Sequence, residues 1–534
     1  MTPESKYKAS IILSAVGDSL GWMTEFKRSP NAVEKSFGTR RVTDFHRWEK
    51  TVGGRFWGYR DIIQPGSYSD DTQLLLAVAR CIRRDGTVNQ KRFANVELPC
   101  WLGYARGAGR TVKTAARKIS RKSATWNNNF FSLKTRDGRS DYRDAGANGA
   151  AMRILPIALA NFTDYEAARE QIFANSIITH GHPRALIGAL LFGYAVDRIL
   201  GHRPESFDPL NYLEGIGKEL KTALSLPFLG SKPYQKWVDK WNRHGNEFPA
   251  SYEEVVEEVL EGLREVYRSV DRRRATTDTL SALGCFAPET KGSGTATVLA
   301  GIFLCCRYAE LPRDAVLEAV NAVGSDTDSI AAFAGGLCGA LHGVSIIPKK
   351  WRAVQDYGYL ETVALNLLEI SEKRAGDSSR LVLPAEGSRS IELLSLSQDV
   401  LAPDKRVFLA SLGTGTVRHV DRQPTRNGKK YNVVAGIDFD VGQYCVFSTR
   451  FDGKLEDSRQ EDVAEDVSEN GTSDRISRLR QLADRCLPKE ERQALDDALD
   501  ENAPPVSDKA LTVIELLLNR LPNEDSADSS DHDR

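Results

Sequence analysis

The stretch Ser69-Asp70-Asp71-Thr72-Gln73-Leu74-Leu75-Leu76-Ala77-Val78-Ala79-Arg80-Cys81-Ile82 decides how the chain is read. Leu74, Leu75, Ala77, Val78, Cys81 and Ile82 recur at helical spacing, so an apolar helix starts directly behind two carboxylates and two hydroxyls. A second tetrad, Asp326-Thr327-Asp328-Ser329, stands about 250 residues further on and opens another apolar helical run, Ile330 to Leu341. Hard divalent cations take clustered oxygen donors, and Mg²⁺ in particular wants a nearly octahedral set. Two tetrads brought together by folding can hold a pair of ions that one alone cannot. The plainer alternative is that Ser69 and Asp70 only cap the start of the helix.

Outward from these two runs, the chain from Tyr7 to about Ile370 reads as helix after helix. Ile11, Ile12, Ala15 and Val16 form one apolar stripe before Gly17-Asp18. Asn175 to Ile199 is a long apolar stretch broken at Gly181-His182-Pro183, where proline suits a first helical turn. Tyr252 to Val270 mixes Glu with Val and Leu in the manner of a surface helix, while Thr295 to Arg307 is rich in Ala, Gly and Cys. Strand patterns are nearly absent from this part. The expected fold class is mainly α: an all-helical domain over 1–374, a linker over 375–404, a small β-barrel-like module over 405–455, and an acidic segment with short helices and a disordered tail over 456–534. The module is read from Arg406–Ser411, Thr416–Val420, Tyr431–Ile437 and Gln443–Thr449, four Val-, Phe- and Tyr-rich runs separated by turn residues.

Composition excludes several classes. A formal net charge of −1 over 534 residues gives no global attraction to nucleic acid or membrane. No stretch approaches the ~20 apolar residues of a membrane span, and Ile11 to Val16 is too short for a signal peptide. The eight cysteines show no C-x-x-C pairing and mostly sit in apolar runs, as buried thiols of a reducing compartment do. A cytoplasmic protein with no membrane partner is the expectation.

Further motifs accompany the tetrads in order: Gly17-Asp18-Ser19-Leu20-Gly21 with Glu25-Phe26, Gly103-Tyr-Ala-Arg-Gly-Ala-Gly-Arg-Thr111, Asn148-Gly149-Ala150-Ala151-Met152-Arg153, and Thr179-His180-Gly181-His182-Pro183. Taken together the series resembles the ADP-ribosylglycohydrolase family over roughly Tyr7 to Ile370. The resemblance implies an all-helical fold, two Mg²⁺ or Mn²⁺ ions at the mouth of an ADP-ribose cleft, and hydrolysis of the glycosidic bond at the distal ribose. It implies Ser69, Asp70, Asp71, Asp326, Asp328 and Ser329 as metal ligands, and Glu25 beside the scissile bond. Glu25 or a ligand aspartate (Asp70 or Asp71) would handle the proton. Gly107, Gly109, Asn148, Gly149 and His182 are implied as ADP-ribose contacts.

The residues carry their own argument. Glycines free of a Cβ suit close backbone approach to a diphosphate. Both presumed ligand hydroxyls are Ser where the family more often has Thr, which gives the same oxygen on a looser χ1. Ala147 stands where glycine is common. His180 reads equally as a buried helix-terminus residue, Met152 as core, and Arg153 as a structural ion pair. The stretch Arg106 to Arg143 holds eleven Lys or Arg against two Asp, with Trp126, Phe130 and Phe131 among them. It is either a solvated basic face or the mark of an anionic substrate.

The expected substrate is therefore an ADP-ribosylated protein, nucleic acid or small molecule. The C-terminal module, which has no clustered catalytic set, is expected to recruit the target, so that its removal spares a small substrate. The alternative from another class is a non-catalytic ADP-ribose-binding or structural protein on the same scaffold.

Overall fold

The computed structural model describes residues 1–121, 123–135, 138–242, 245, 247–373 and 402–453, together with Leu479. Most of the expected linker, and the acidic segment, short helices and tail expected beyond 455, lie outside the described residues. Residues Met1–Leu455 form one compact unit.

Seven of its helices position the site: α1 (Pro3–Glu25), α2 (Asp70–Ala79), α3 (Arg110–Ile119), α4 (Pro183–Leu200), α5 (Gly294–Arg307), α6 (Thr327–His342) and α7 (Tyr357–Ser371). The surface helix expected over Tyr252–Val270 is present as Phe248–Asp271. Helices α1 and α6 run antiparallel with their backbones nearly touching. A Cβ on Gly17 would fall 2.2 Å from the Ala331 carbonyl oxygen, and one on Gly21 2.4 Å from that of Thr327. From the other side, a Cβ on Gly335 would meet the Leu13 carbonyl at 2.2 Å and one on Gly339 that of Ala9 at 2.3 Å. Only hydrogen fits at these positions, and the glycines recur one helical turn apart, so the two helices lock along their length. Thr327 Oγ1 donates to the Gly21 carbonyl at 2.8 Å and so pairs its own buried hydroxyl within the crossing. The packing sets the C-terminus of α1, and with it Glu25, against the N-terminus of α6.

Among the described residues there are two short hairpins that the sequence reading did not anticipate, β1 (Trp48–Val52) with β2 (Tyr59–Ile63) and β3 (Ser132–Thr135) with β4 (Gly138–Asp141). The expected β module is a four-stranded antiparallel half-barrel of β5 (Arg406–Leu409), β6 (Gly413–Pro424), β7 (Lys430–Phe439) and β8 (Tyr444–Asp452), in sequential order. β6, β7 and β8 run past the apolar stretches that revealed them, mostly through polar residues, while β5 ends at Leu409, short of the expected Ser411.

The sheet docks onto the helical body through buried polar contacts. Gln443 Oε1 accepts from Arg80 Nη1 at 2.7 Å, and the Tyr444 backbone N–H donates to both carboxylate oxygens of Asp356 at 3.0 and 3.1 Å. Arg80 is also paired with Glu97 at 2.9 Å, both side chains buried. The Tyr104 and Phe447 rings lie 5.6 Å apart across the same boundary. All described cysteines are buried thiols. No helix among the described residues is long and apolar enough to cross a membrane.

Candidate active site

Helix α2 begins where Ser69 caps it, its hydroxyl accepting from the Asp71 N–H at 3.3 Å. Of the capping alternative raised by the sequence, the Ser69 part is realised and coexists with clustering of the acids, while Asp70 is already the first helical residue. Asp18, wholly buried in α1, supplies the rest of the cap. Its carboxylate accepts from the Ser69 N–H at 3.0 Å, the Thr72 N–H at 3.0 Å and the Thr72 hydroxyl at 2.6 Å. Burial pushes its pKa up while these hydrogen bonds pull the other way. Asp18 stood in the Gly17–Gly21 motif, but a carboxylate inside an apolar helical stripe gave no sign that it would anchor a second helix.

Asp326 caps α6, and Asp328 and Ser329 lie in its first turn. Glu25, Asp326 and Asp328 each bring one carboxylate oxygen into a group whose members lie within 4.8 Å of one another. From the other tetrad, Asp71 Oδ2 accepts from Ser329 Oγ at 2.8 Å. Asp70 points toward the Gly103–Gly109 loop: a Cβ on Gly107 would lie 2.9 Å from Asp70 Oδ1, and Gly107 has φ +89°, in the region that favours glycine. Asn148 Nδ2 donates to Asp326 Oδ2 at 3.0 Å and fixes that carboxylate's direction.

The electrostatics match a site built for cations. Burial first, then the charge of Asp18, raises Asp70 to about 7. Burial raises Asp71 well above the ordinary carboxylate range, reinforced by Asp18 and Asp70. Glu25 is raised well above its usual value by burial and Asp326, and Asp328 by burial and Glu25. Carboxylates crowded this closely cannot all ionise without a compensating positive charge. The cations facing them, Lys50 and Lys113, have their own pKa values lowered by burial. An oxygen-only donor set of carboxylates and a serine hydroxyl fits Mg²⁺ or Mn²⁺.

The remaining sequence candidates lie around this cluster. The Gly146–Gly149 loop is held by backbone bonds from Asn148 N–H to the Gly292 carbonyl at 2.9 Å and from Gly294 N–H to the Gly146 carbonyl at 3.0 Å. It leads from Asp326 to His182, whose ring lies 3.3 Å from where a Gly146 Cβ would stand. His182 Nδ1 accepts from the Arg184 N–H at 3.0 Å, and burial lowers the ring's pKa. With Arg143, Arg184 and Trp241 it lines a cavity of about 520 Å³. Gly109 precedes α3 as its cap residue, with no atom within 4 Å of its open side.

His180 is buried against Gly149 and held neutral, its pKa lowered to about 3 by burial and the nearby Arg153 charge. Met152 is core. Arg153 corrects an expectation. Among the described residues it makes no carboxylate pair; its Nε donates to Asn175 Oδ1 at 2.8 Å and its Nη2 to the Asn175 carbonyl at 2.9 Å. Burial lowers its pKa to about 9. In the basic stretch, Phe130 and Phe131 pack against Tyr142, and Arg106 is committed to Asp61 at 2.7 Å. Arg110, Arg117 and Arg121 are exposed.

Residues 1–377 match the sequence model of the ADP-ribosylglycohydrolase family, and the chain belongs to that family. It is 24% identical over 343 residues to the ADP-ribosyl-(dinitrogen reductase) glycohydrolase of Rhodospirillum rubrum, an alignment covering 64% of this chain and 87% of that one. It is 26% identical over 395 residues to the ADP-ribosylhydrolase ARH3 of Bos taurus, covering 69% and 94%. The ADP-ribosylarginine hydrolase Tri1 of Serratia proteamaculans is 23% identical over 364 residues, covering 66% and 76%. The family match ends before the sheet β5–β8.

Proposed function

We propose that this family member is a metal-dependent hydrolase that releases ADP-ribose from a modified macromolecule by cleaving the glycosidic bond of the distal ribose. The observation that carries the reading is the meeting of the two tetrads, with Ser329 bonded to Asp71 beside the Glu25, Asp326 and Asp328 carboxylates. Relatives named as hydrolases of ADP-ribosylated proteins support it.

Ser69, Asp70, Asp71, Asp326, Asp328 and Ser329 are the residues that would hold two divalent cations, Mg²⁺ or Mn²⁺. Bound there, the cations would supply the positive charge that lets these carboxylates ionise and that orients vicinal ribose hydroxyls. Asn148 holds Asp326 in place, and Asp18 fixes the start of α2, so the oxygens converge before any ligand arrives.

Glu25 is the residue for the proton. Half-buried at the end of α1, it has its pKa raised well above the ordinary carboxylate range by burial and by Asp326, with Lys50 opposing. A carboxyl poised in that way donates to a leaving atom at one stage and accepts from an attacking water at the next. The Gly146–Gly149 loop beside Asp326, its glycines packed on the His182 and His180 rings, borders the path of the diphosphate, and the cavity at His182 and Trp241 suits the nucleoside beyond it.

Release of ADP-ribose from Arg-, Ser- and nucleic-acid-linked substrates by wild type and Asp326→Ala, with Mg²⁺ and with Mn²⁺, tests the proposal. Release by the wild type alone, on at least one linkage, supports it. Calorimetric binding of ADP-ribose without turnover on any linkage would select the non-catalytic alternative.

A further inference from the structure

Gly107 borders, besides the acidic cluster, a second cavity of about 410 Å³ walled by two parts of the chain. The helical body contributes Lys50 at the β1 hairpin, Arg106 and Lys113. The sheet contributes Val446, Ser448 and Arg450, alternate residues along one face of β8, and Asn432 of β7, paired in register with Arg450. The sheet lies outside the family match, so this wall belongs to the part of the chain added to the family domain.

The lining is rich in donors and cations. Asp61 is its only carboxylate among the described residues, and Arg106 neutralises it with bonds of 2.7 and 3.2 Å. Arg450 adds positive charge, as do Lys50 and Lys113, which face the acidic cluster as well. Asn432 is 2% exposed, and its Nδ2 has no hydrogen-bond partner among the described residues although its Oδ1 accepts from Arg450 Nε at 3.4 Å. A buried amide N–H without a partner is costly unless a ligand or water supplies the acceptor. Trp22 Nε1, likewise buried and unpartnered, lies 3.2 Å from where a Gly107 Cβ would be.

The surroundings continue the theme. Arg110, Lys113 and Arg117 share one face of α3, a helix without any acidic residue. Lys430 and Arg450 stack on the Trp57 ring at 5.1 and 5.7 Å. Two exposed rings lie on flanking segments: Phe26, 49% exposed with Lys50 over it, and Phe56, 60% exposed on the short helix Gly54–Trp57 that follows Gly53. Cations spaced along a groove with exposed aromatic rings are the pattern that binds single-stranded nucleic acid, phosphate to cation and base to ring.

We propose that this cavity is a phosphate subsite for a single-stranded nucleic acid carrying the ADP-ribose, and so holds the leaving-group side of the substrate. The assignment rests on the hydrolase reading only for the ADP-ribose end. If the nucleotide runs along the Gly146–Gly149 loop toward His182, the other side of the scissile bond leads past Gly107 into the cavity. An acidic peptide would meet the charge but leave the rings unused.

The test is binding of an unmodified short oligothymidylate to the full chain, followed by fluorescence anisotropy at about 50 and 200 mM salt. Wild type should bind, more weakly as salt rises. Arg450→Ala should weaken binding and flatten the log–log salt slope by about 1. Asn432→Ala should bind several-fold more weakly; because Asn432 is buried, Arg450→Ala and Ser448→Glu, at exposed positions, carry the test should that variant not fold. Competition by polyglutamate as effective as by the oligonucleotide, or variants that bind like wild type, would overturn the subsite. A separate assay of ADP-ribose release keeps the two readings apart. Strand binding without release from any linkage sinks the hydrolase and leaves the subsite, whereas hydrolysis of ADP-ribosylarginine without strand binding sinks the subsite alone.

Discussion

Ser329 Oγ donates a 2.8 Å hydrogen bond to Asp71 Oδ2, joining side chains 258 positions apart in the chain. Helix α6 thereby hands a donor to a carboxylate on α2 that is otherwise surrounded by like charge. Removing the hydroxyl leaves Asp71 to face Asp18 and Asp70 without it. Ser329→Ala should lower Mg²⁺ affinity on the order of tenfold or more, and Ser329→Thr, which restores the oxygen on a stiffer χ1, should recover it. Calorimetric Mg²⁺ titration of the three proteins decides the matter; an alanine variant with native affinity would remove Ser329 from the site.

The metal-free protein should lose stability as pH rises from about 4 to about 7. Asp70 has a pKa of about 7 in the folded protein against an ordinary 3.8, raised by burial and by Asp18. The folded state therefore binds that proton more tightly than the unfolded chain. The group's contribution is fully present below the unfolded value and is lost as pH climbs through the folded one. Glu25, Asp71 and Asp328 are shifted in the same direction. Melting temperatures in chelator should fall across this window, less steeply for Asp70→Asn, and saturating Mg²⁺ should restore most of the loss at pH 7. A flat profile in chelator would contradict the crowding of charge described above.

Gly21→Ala should be destabilising out of proportion to one methyl group. Its Cβ would stand 2.4 Å from the Thr327 carbonyl oxygen and 2.5 Å from the Asp328 Cα, both backbone atoms that cannot rotate away. Prying α1 from α6 should cost about 1–3 kcal/mol in urea unfolding. Metal affinity should weaken as well, since Glu25 and Asp328 move apart. Unchanged unfolding and metal binding would show that the crossing has more slack than its geometry implies.

Truncation distinguishes the sheet from the residues C-terminal to it. The sequence alone suggested that everything beyond Arg374 is dispensable for a small substrate. Gln443 and Tyr444 alter that expectation for residues 402–453, because they bond Arg80 and Asp356 within the helical body. A chain ending at residue 373 should melt at least about 5 °C below one ending at 455, with Arg80 deprived of Gln443 and Asp356 of the Tyr444 N–H. Equal melting temperatures would make the docking contacts energetically idle.

What the sequence disclosed depended on how local its cause was. The two oxygen-rich helix starts, Ser69 to Asp71 and Asp326 to Ser329, were legible because turn residues and apolar periodicity announce themselves together there. The helices and the four strands β5–β8 were legible for the same reason. Asp18 was not, since its role exists only once α2 has packed beside α1. The hairpins β1–β2 and β3–β4 were missed because they are short and largely polar, with no alternating apolar face to read. Arg153 was expected to find a carboxylate, but Asn175 and Gly149 were the acceptors within reach. Likewise, no residue pattern reveals that Arg450 will overlook Gly107; only the docking of the sheet does.

The four glycines along the α1–α6 seam bear no functional group, yet they set the tolerances of the chemistry. Distances among the acids are inherited from how near two main chains can come when nothing protrudes between them. Anyone redesigning the cleft for another linkage would find the acidic side chains easier to exchange than these bare positions. The working parts are replaceable; the bearing on which they turn is not.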